Sequence, residues 1–204
     1  MIGIIDYGSG NIYAIANLYK RLNLEYILTN DHNELKKADK LILPGVGAFD
    51  ETMQMLNNSG LKNLLDELVL VKKVPIMGVC VGMQIMANSS EEGDLEGFGW
   101  IKGHVKKIDK NALYSKPHLP HMGWNEIHVK ETSPLFNDID TERGFYFLHS
   151  YYFSCKDESD SLATTHYGSH FSCVVNHENV YGVQFHPEKS HSNGIQIFKN
   201  FANL

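Results

Sequence analysis

Gly78-Val79-Cys80-Val81-Gly82 carries the sharpest chemical content of this 204-residue chain. A cysteine flanked by glycines, between an apolar strand-like run and a helix-like run, has the G-x-C-x-G spacing of a nucleophile elbow. Such a turn lifts the side chain out of a sheet into a cleft. A helix N-terminus behind Cys80 favours a thiolate, and the N–H groups there can receive an oxyanion. The plain alternative is a buried structural cysteine. The second signal lies far away, in Tyr181-Gly182-Val183-Gln184-Phe185-His186-Pro187-Glu188. An apolar strand delivers His186 and Glu188, and Pro187 keeps His186 extended. Residues i and i+2 of an extended chain share a side. The Glu188 carboxylate can then orient the His186 imidazole, and the imidazole can hold the Cys80 proton. A His-Pro-Glu turn alone is usually a surface turn. Beside the elbow it completes a candidate nucleophile–base–orienter set.

Two small-residue loops join them. Pro44-Gly45-Val46-Gly47 can aim N–H groups at a developing oxyanion, but it lacks the Gly-Lys-Ser/Thr ending of a phosphate loop. Asp6-Tyr7-Gly8-Ser9-Gly10-Asn11 lacks a complete G-x-G-x-x-G nucleotide fingerprint.

The elements that must position these residues follow from periodicity. Ile2–Ile5, Glu25–Thr29, Lys40–Leu43 and Pro75–Val79 read as short strands, the third stopped by Pro44-Gly45. Helical spacing links Ile12, Ile15, Ala16, Tyr19 and Leu22, and recurs over Asp31–Ala38, Phe49–Leu56, Leu61–Val71 and Val81–Ala87. Strands alternating with helices imply a parallel sheet covered on both faces. Ligands bind such sheets at the carboxyl ends of strands, where Asp6–Gly10, Pro44–Gly47 and Cys80 all fall. From Trp100 to Gln184 the texture changes to short β-like runs: Ile101–Ile108, Asn125–Val129, Phe145–Leu148, Tyr151–Ser154, Phe171–Val175 and Val180–Phe185. A closing helix is expected at Asn193–Phe201. The expected fold is α/β, a mostly parallel central sheet flanked by helices with additional antiparallel strands in the C-terminal half, in one domain over residues 1–204.

Composition bounds the partners. With 43% hydrophobic residues and 21% charged, the chain is globular. The net charge of -6, with no Lys/Arg block beyond pairs such as Lys36-Lys37, argues against nucleic acid. No apolar run suits a membrane span, and Met1–Asp6 does not read as a signal peptide. Cys80, Cys155 and Cys173 form no Cys-x-x-Cys pair, which argues against structural zinc and a disulfide framework and for a reducing cytoplasm. Cys155 and Cys173 read as small core residues. The eleven histidines are scattered without His-Glu-x-x-His, so neither a metal nor another cofactor is expected.

The chain resembles the class I, triad-type glutamine amidotransferases, and within them the glutaminase subunit of imidazole glycerol phosphate synthase, the HisH type. The resemblance runs through Ile4–Asn11, Leu43–Phe49, Gly78–Gln84, Ser89–Gly93, Pro120-His121-Met122-Gly123-Trp124-Asn125, Phe145–Tyr152 and Gly182–Ser190. It implies that Cys80 attacks the amide carbon of glutamine, His186 shuttles the proton and Glu188 orients it. It implies that Gly45, Val46 and Gly47, with the N–H of Val81, form or gate the oxyanion hole. Gln84 and His149-Ser150-Tyr151 would hold the α-amino and carboxylate ends of glutamine. The implied partner is a (β/α)8-barrel synthase, or cyclase, subunit that receives the ammonia, docked through Asn11, Trp124 and Lys189. The bland readings beside these are a helix N-cap for Asn11, core or hinge packing for Trp124 and a solvated charge for Lys189.

Ser9, Val81 and Gly97-Phe98-Gly99-Trp100 depart from the commonest choices of the histidine-pathway enzymes. They resemble a branch of HisH-like chains that supplies ammonia to a HisF-like barrel for an amidine on cell-surface sugars. Outside the family, the rival readings are a stand-alone cysteine hydrolase or peptidase of related fold and a non-catalytic regulatory subunit. The Gln84 and Trp124 segments argue against the first, and intact Cys80, His186 and Glu188 against the second.

Overall fold

The computed structural model describes residues 1–113 and 119–204. The first part alternates as expected: β1 (Ile2–Ile5), α1 (Ile12–Arg21), β2 (Tyr26–Thr29), α2 (His32–Leu35), β3 (Lys40–Gly45), α3 (Phe49–Asn58), α4 (Lys62–Asp66), β4 (Ile76–Cys80) and α5 (Val81–Gln84). Ile12, Ile15, Ala16 and Tyr19 form the buried face of α1. Asp31 caps α2 by accepting from the N–H groups of Asn33 and Glu34 at 2.8 and 2.9 Å.

Then come β5 (Ser89–Ser90), β6 (Gly103–Lys107), β7 (His121–Asn125), β8 (His128–Val129), β9 (Phe145–His149), β10 (Tyr151–Cys155), β11 (Ser161–Tyr167), β12 (Ser169–His177), β13 (Val180–Val183) and the closing helix α6 (His191–Asn203). Among the described residues the main sheet runs β2-β1-β3-β4-β13-β12-β10-β6-β5, with β11 and β8 branching from β12, and β7 pairs β9 in a second, two-stranded sheet. The pairs from β2 through β13 are parallel, and β13 to β12, β12 to β10 and β10 to β6 are antiparallel. The mixed α/β architecture is the one expected. Tyr19 of α1 packs on Phe198 of α6, ring centroids 5.4 Å apart.

Several boundaries differ from the sequence reading. Pro44-Gly45 does not stop β3, because both still pair with Val79 and Cys80 of β4. The Leu61–Val71 helix is α only to Asp66 and continues as a π-helical turn over Glu67–Val71. The Asn125–Val129 run splits between β7 and β8. Strand β11 escapes a reading by alternation because a bulge between Ser161 and Thr164 interrupts it.

The topological fact that matters for chemistry is the seating of β13 beside β4. Gly182 pairs with Gly78 and Val183 with Val79 in parallel register. The segment leaving β13 therefore runs past Cys80.

Candidate active site

Cys80 ends β4 with φ +56° and ψ -114°. This is a conformation that costs a side-chain-bearing residue about 1–3 kcal/mol. It is held by close backbone contact. A Cβ on Gly82 would collide with the carbonyl of Leu43, and one on Gly45 with the N–H of Gly82. Gly45 is thus a packing glycine beneath the elbow and does not line the cavity. Helix α5 is a single turn, shorter than the expected Val81–Ala87, so its dipole adds little at the sulfur. Hydrogen bonds do more.

His186 Nδ1 lies 3.0 Å from Glu188 Oε1, with both side chains almost fully buried. Burial works against the charged imidazole. Hydrogen bonds and charge from Cys80 and Glu188 outweigh it and push His186 up to about 10. The main chain around it is clamped. The His186 N–H donates to the Tyr146 carbonyl at 2.9 Å. The buried Ser190 hydroxyl donates to the His186 carbonyl at 2.6 Å and accepts from the Tyr146 N–H at 3.0 Å. Ser190 is a positioning residue that sequence reasoning does not assign.

A cavity of about 300 Å³ opens over the sulfur. Of the expected residues, Val46, Gly47, Cys80, Val81, Gln84, His149, Ser150, Tyr151, His186 and Lys189 line it. Glu92 lines it as well and is not among the expected residues. Burial pushes the Glu92 carboxyl up, although its Oε2 accepts from the Phe49 N–H at 2.9 Å.

The loop after β3 is held by the loop after β1. The Tyr7 hydroxyl donates to the Pro44 carbonyl. The Ser9 hydroxyl donates to the Val46 carbonyl at 3.0 Å and accepts from the Val46 N–H at 3.0 Å. The Val46 N–H is therefore committed to Ser9 in this conformation.

Behind the cavity the polar groups form an ordered chain. The Tyr151 carbonyl can only accept, so His149 Nδ1 (2.8 Å away) carries its proton and His149 Nε2 is an acceptor. His121 Nδ1 donates to that nitrogen at 2.9 Å. Asn125 Nδ2, fixed by donation to the His166 carbonyl, donates to His121 Nε2 at 3.2 Å. Both imidazoles are neutral. Burial lowers His121 to about 4, and burial with the neighbouring His121 and His186 lowers His149 to about 3. Both His149 nitrogens are occupied, so His149 offers the cavity a ring wall only. The His121 ring is packed against Phe147 and Tyr167.

Two of the expected docking residues, Trp124 and Lys189, meet around Tyr146. Trp124 is 43% exposed, stacks on His191 at 5.4 Å and faces Arg143 at 6.0 Å. It pairs across the small sheet with Tyr146, over whose ring Lys189 sits at 5.8 Å. Asn11 is exposed and makes no side-chain cap bond to α1. Cys173 is buried, Cys155 half-buried, and burial raises both thiols, Cys155 to about 11. Among the described residues no group of three or more His, Cys, Asp or Glu side chains could hold a metal ion, and no helix is long and apolar enough to cross a membrane.

Comparison with known proteins decides the family. The family described as "Glutamine amidotransferase class-I" matches residues 3–204. The chain belongs to the class-I glutamine amidotransferases. It is thus an enzyme that takes nitrogen from the amide of glutamine. Two relatives named imidazole glycerol phosphate synthase subunit HisH match over the whole of both chains. They are 49% identical (Leptospira borgpetersenii) and 50% identical (Bdellovibrio bacteriovorus). A solved structure of PurLQS from Thermotoga maritima superimposes on the amidotransferase with TM-score 0.70. The match covers 99% of this chain and 96% of the other at 17% identity, a likeness of fold.

The neutral histidine pair makes this amidotransferase sensitive to acid. An unfolded histidine titrates near 6.5, above the folded values. Unfolding therefore takes up protons as pH falls below about 6.5. The stabilisation is full above that value and is lost towards pH 4, by about 2 kcal/mol per histidine at pH 5. The unfolding temperature should fall between pH 7.5 and 5.0, and His121→Phe should flatten the fall. Parallel falls in both chains would contradict the neutral pair.

Proposed function

We propose that this chain is the glutaminase subunit of an imidazole glycerol phosphate synthase in histidine biosynthesis, with Cys80, His186 and Glu188 as its triad and residues 1–204 acting as one amidotransferase domain. The observation that carries the reading is the strained Cys80 elbow sharing one cavity with His186, whose ring pairs with the buried Glu188 carboxylate. Cys80 attacks the amide carbon, and the imidazolium of His186 gives its proton to the departing ammonia. Water, activated by the same imidazole, then cleaves the γ-glutamyl thioester to glutamate. Glu188 holds the ring and its charge in place.

The cavity lining suits a zwitterionic amino acid. The amide nitrogen of Gln84 is committed to Tyr151 and Gln184, which leaves Gln84 Oε1 as an acceptor for the α-ammonium group, with the Glu92 carboxylate supplying charge. Ser150, from the same lining, takes the carboxylate. Gly47 and Val81 line the cavity with Cys80, and their N–H groups serve as the oxyanion donors, joined by that of Val46 once it leaves Ser9. Ammonia passes to a barrel-type synthase subunit docked through Trp124, Lys189 and Asn11. The exposed Trp124 stacked on His191 is the kind of aromatic anchor such interfaces use.

Two outcomes test this. In the complex with the barrel subunit, Cys80→Ala should lower glutamine-driven synthesis by about 10⁴-fold or more while ammonium salts still drive it. Loss of both reactions would overturn the division of labour. Ser9→Ala should raise glutamine hydrolysis by the isolated chain about fivefold, since one hydrogen bond of roughly 1 kcal/mol no longer holds the Val46 N–H. An unchanged or lower rate would remove Ser9 from the control of this loop.

A further inference from the structure

Gln184 is 0% exposed, two residues before His186, and is the one polar side chain in the apolar run Gly182–Phe185. A buried amide needs partners for its oxygen and its nitrogen. Its partners are fixed by a chain of hydrogen bonds with only one consistent polarity. The Tyr151 carbonyl accepts from Gln84 at 2.9 Å, so the atom Gln84 presents there is its Nε2. That same nitrogen lies 3.0 Å from the Gln184 side chain, which must present Oε1 to it. Gln184 Nε2 is thereby turned the other way, and the acceptor it meets is the Cys80 sulfur at 3.8 Å. Among the described residues this nitrogen has no other side-chain or main-chain acceptor.

We propose that Gln184 is a hydrogen-bond donor to the Cys80 sulfur, and that Gln84 acts as its orienting partner in addition to meeting substrate. This rests on Cys80 being the nucleophile. The sulfur carries charge before attack and again when the thioester is cleaved. A fixed N–H at the sulfur steadies that charge and holds the sulfur in the cavity. Besides His186 and Gln184, the sulfur meets the Leu148 carbonyl at 4.0 Å, an acceptor that can serve only the neutral thiol. Gln184 therefore favours the reactive form where Leu148 does not. The chain also ties the sulfur, through Tyr151, to His149, His121 and the strand that bears Trp124.

The test uses the full chain and thiolate ultraviolet absorbance across pH, with Cys80→Ala as the baseline that isolates Cys80. Gln184→Met keeps the bulk and removes the donor. Gln84→Leu keeps Gln184 and removes what orients it. His186 with Glu188, Tyr7, Glu92, His149, Tyr151 and Lys189, the titratable groups around the sulfur and across the cavity, stay in place in every variant. With Gln184→Met the pH at half-formation of the thiolate should rise by about one unit, the size of one lost hydrogen bond to a charged group. Gln84→Leu should give a smaller rise and serves as the decisive variant if Gln184→Met does not fold. Glutamine hydrolysis with the barrel subunit should lose kcat in Gln184→Met with KM little changed. If both variants leave the thiolate profile where it was, the role of Gln184 falls. If Cys80→Ala still hydrolyses glutamine, the triad reading falls first and takes this proposal with it.

Discussion

The parallel pairing of β13 with β4 is the constraint on which the rest of the structure depends. Its register sets Gly182 against Gly78 and Val183 against Val79. The next residues of the two strands then diverge into chemistry: one chain turns at Cys80, the other runs on through Gln184 to His186. A slip of one residue would send these side chains to the opposite face of the sheet. Gly182 shows how tight the match is, since a Cβ there would press into the Met83 side chain of α5. Cys80 and His186, distant in sequence, are thus placed by main-chain hydrogen bonds of a covered sheet, which makes their separation rigid.

The elbow is unfavourable locally and is sustained by its surroundings. Backbone of β3 and α5 meets at van der Waals contact beneath Cys80, leaving the chain no other course. Polar anchoring completes the confinement: Ser190 ties the His186 main chain to β9, and the amide pair Gln84–Gln184 fills the wall beside the sulfur. Each of these groups is buried and partnered, as a preorganised site requires. The exception among them is Glu188 Oε2, buried with no hydrogen-bond partner among the described residues. The carboxylate thus directs its paired oxygen, and the charge it bears, at His186.

Much of this is legible in the sequence, because the informative features are local. G-x-C-x-G fixes a turn, and His-Pro-Glu fixes two side chains on one side of an extended segment. The strands β1, β2 and β4 declare themselves as apolar runs bounded by turn residues. What stays hidden depends on partners remote in sequence. Gly45 looks like an oxyanion donor, and only the approach of Gly82 makes it a packing glycine. Ser190, Gln184 and Ser9 gain meaning from Tyr146, Cys80 and Val46, none of them nearby in sequence. Strand β11 is obscured by its bulge and its Ser and Thr residues, and β7 by the glycine and exposed Met122 and Trp124 within it. A lone glutamine in an apolar run, just past the end of β13, is the one local cue that points past its neighbours, since burial there demands a polar partner.

The central claim is that the sulfur at this elbow, and no other group, takes the γ-glutamyl unit from glutamine. The most direct test is to acid-quench the complex with the barrel subunit during turnover, then map the adduct by peptide mass spectrometry. The predicted result is a γ-glutamyl thioester on the peptide containing Cys80. Glutamate release with no adduct there, or with the adduct on Cys155 or Cys173, would contradict it.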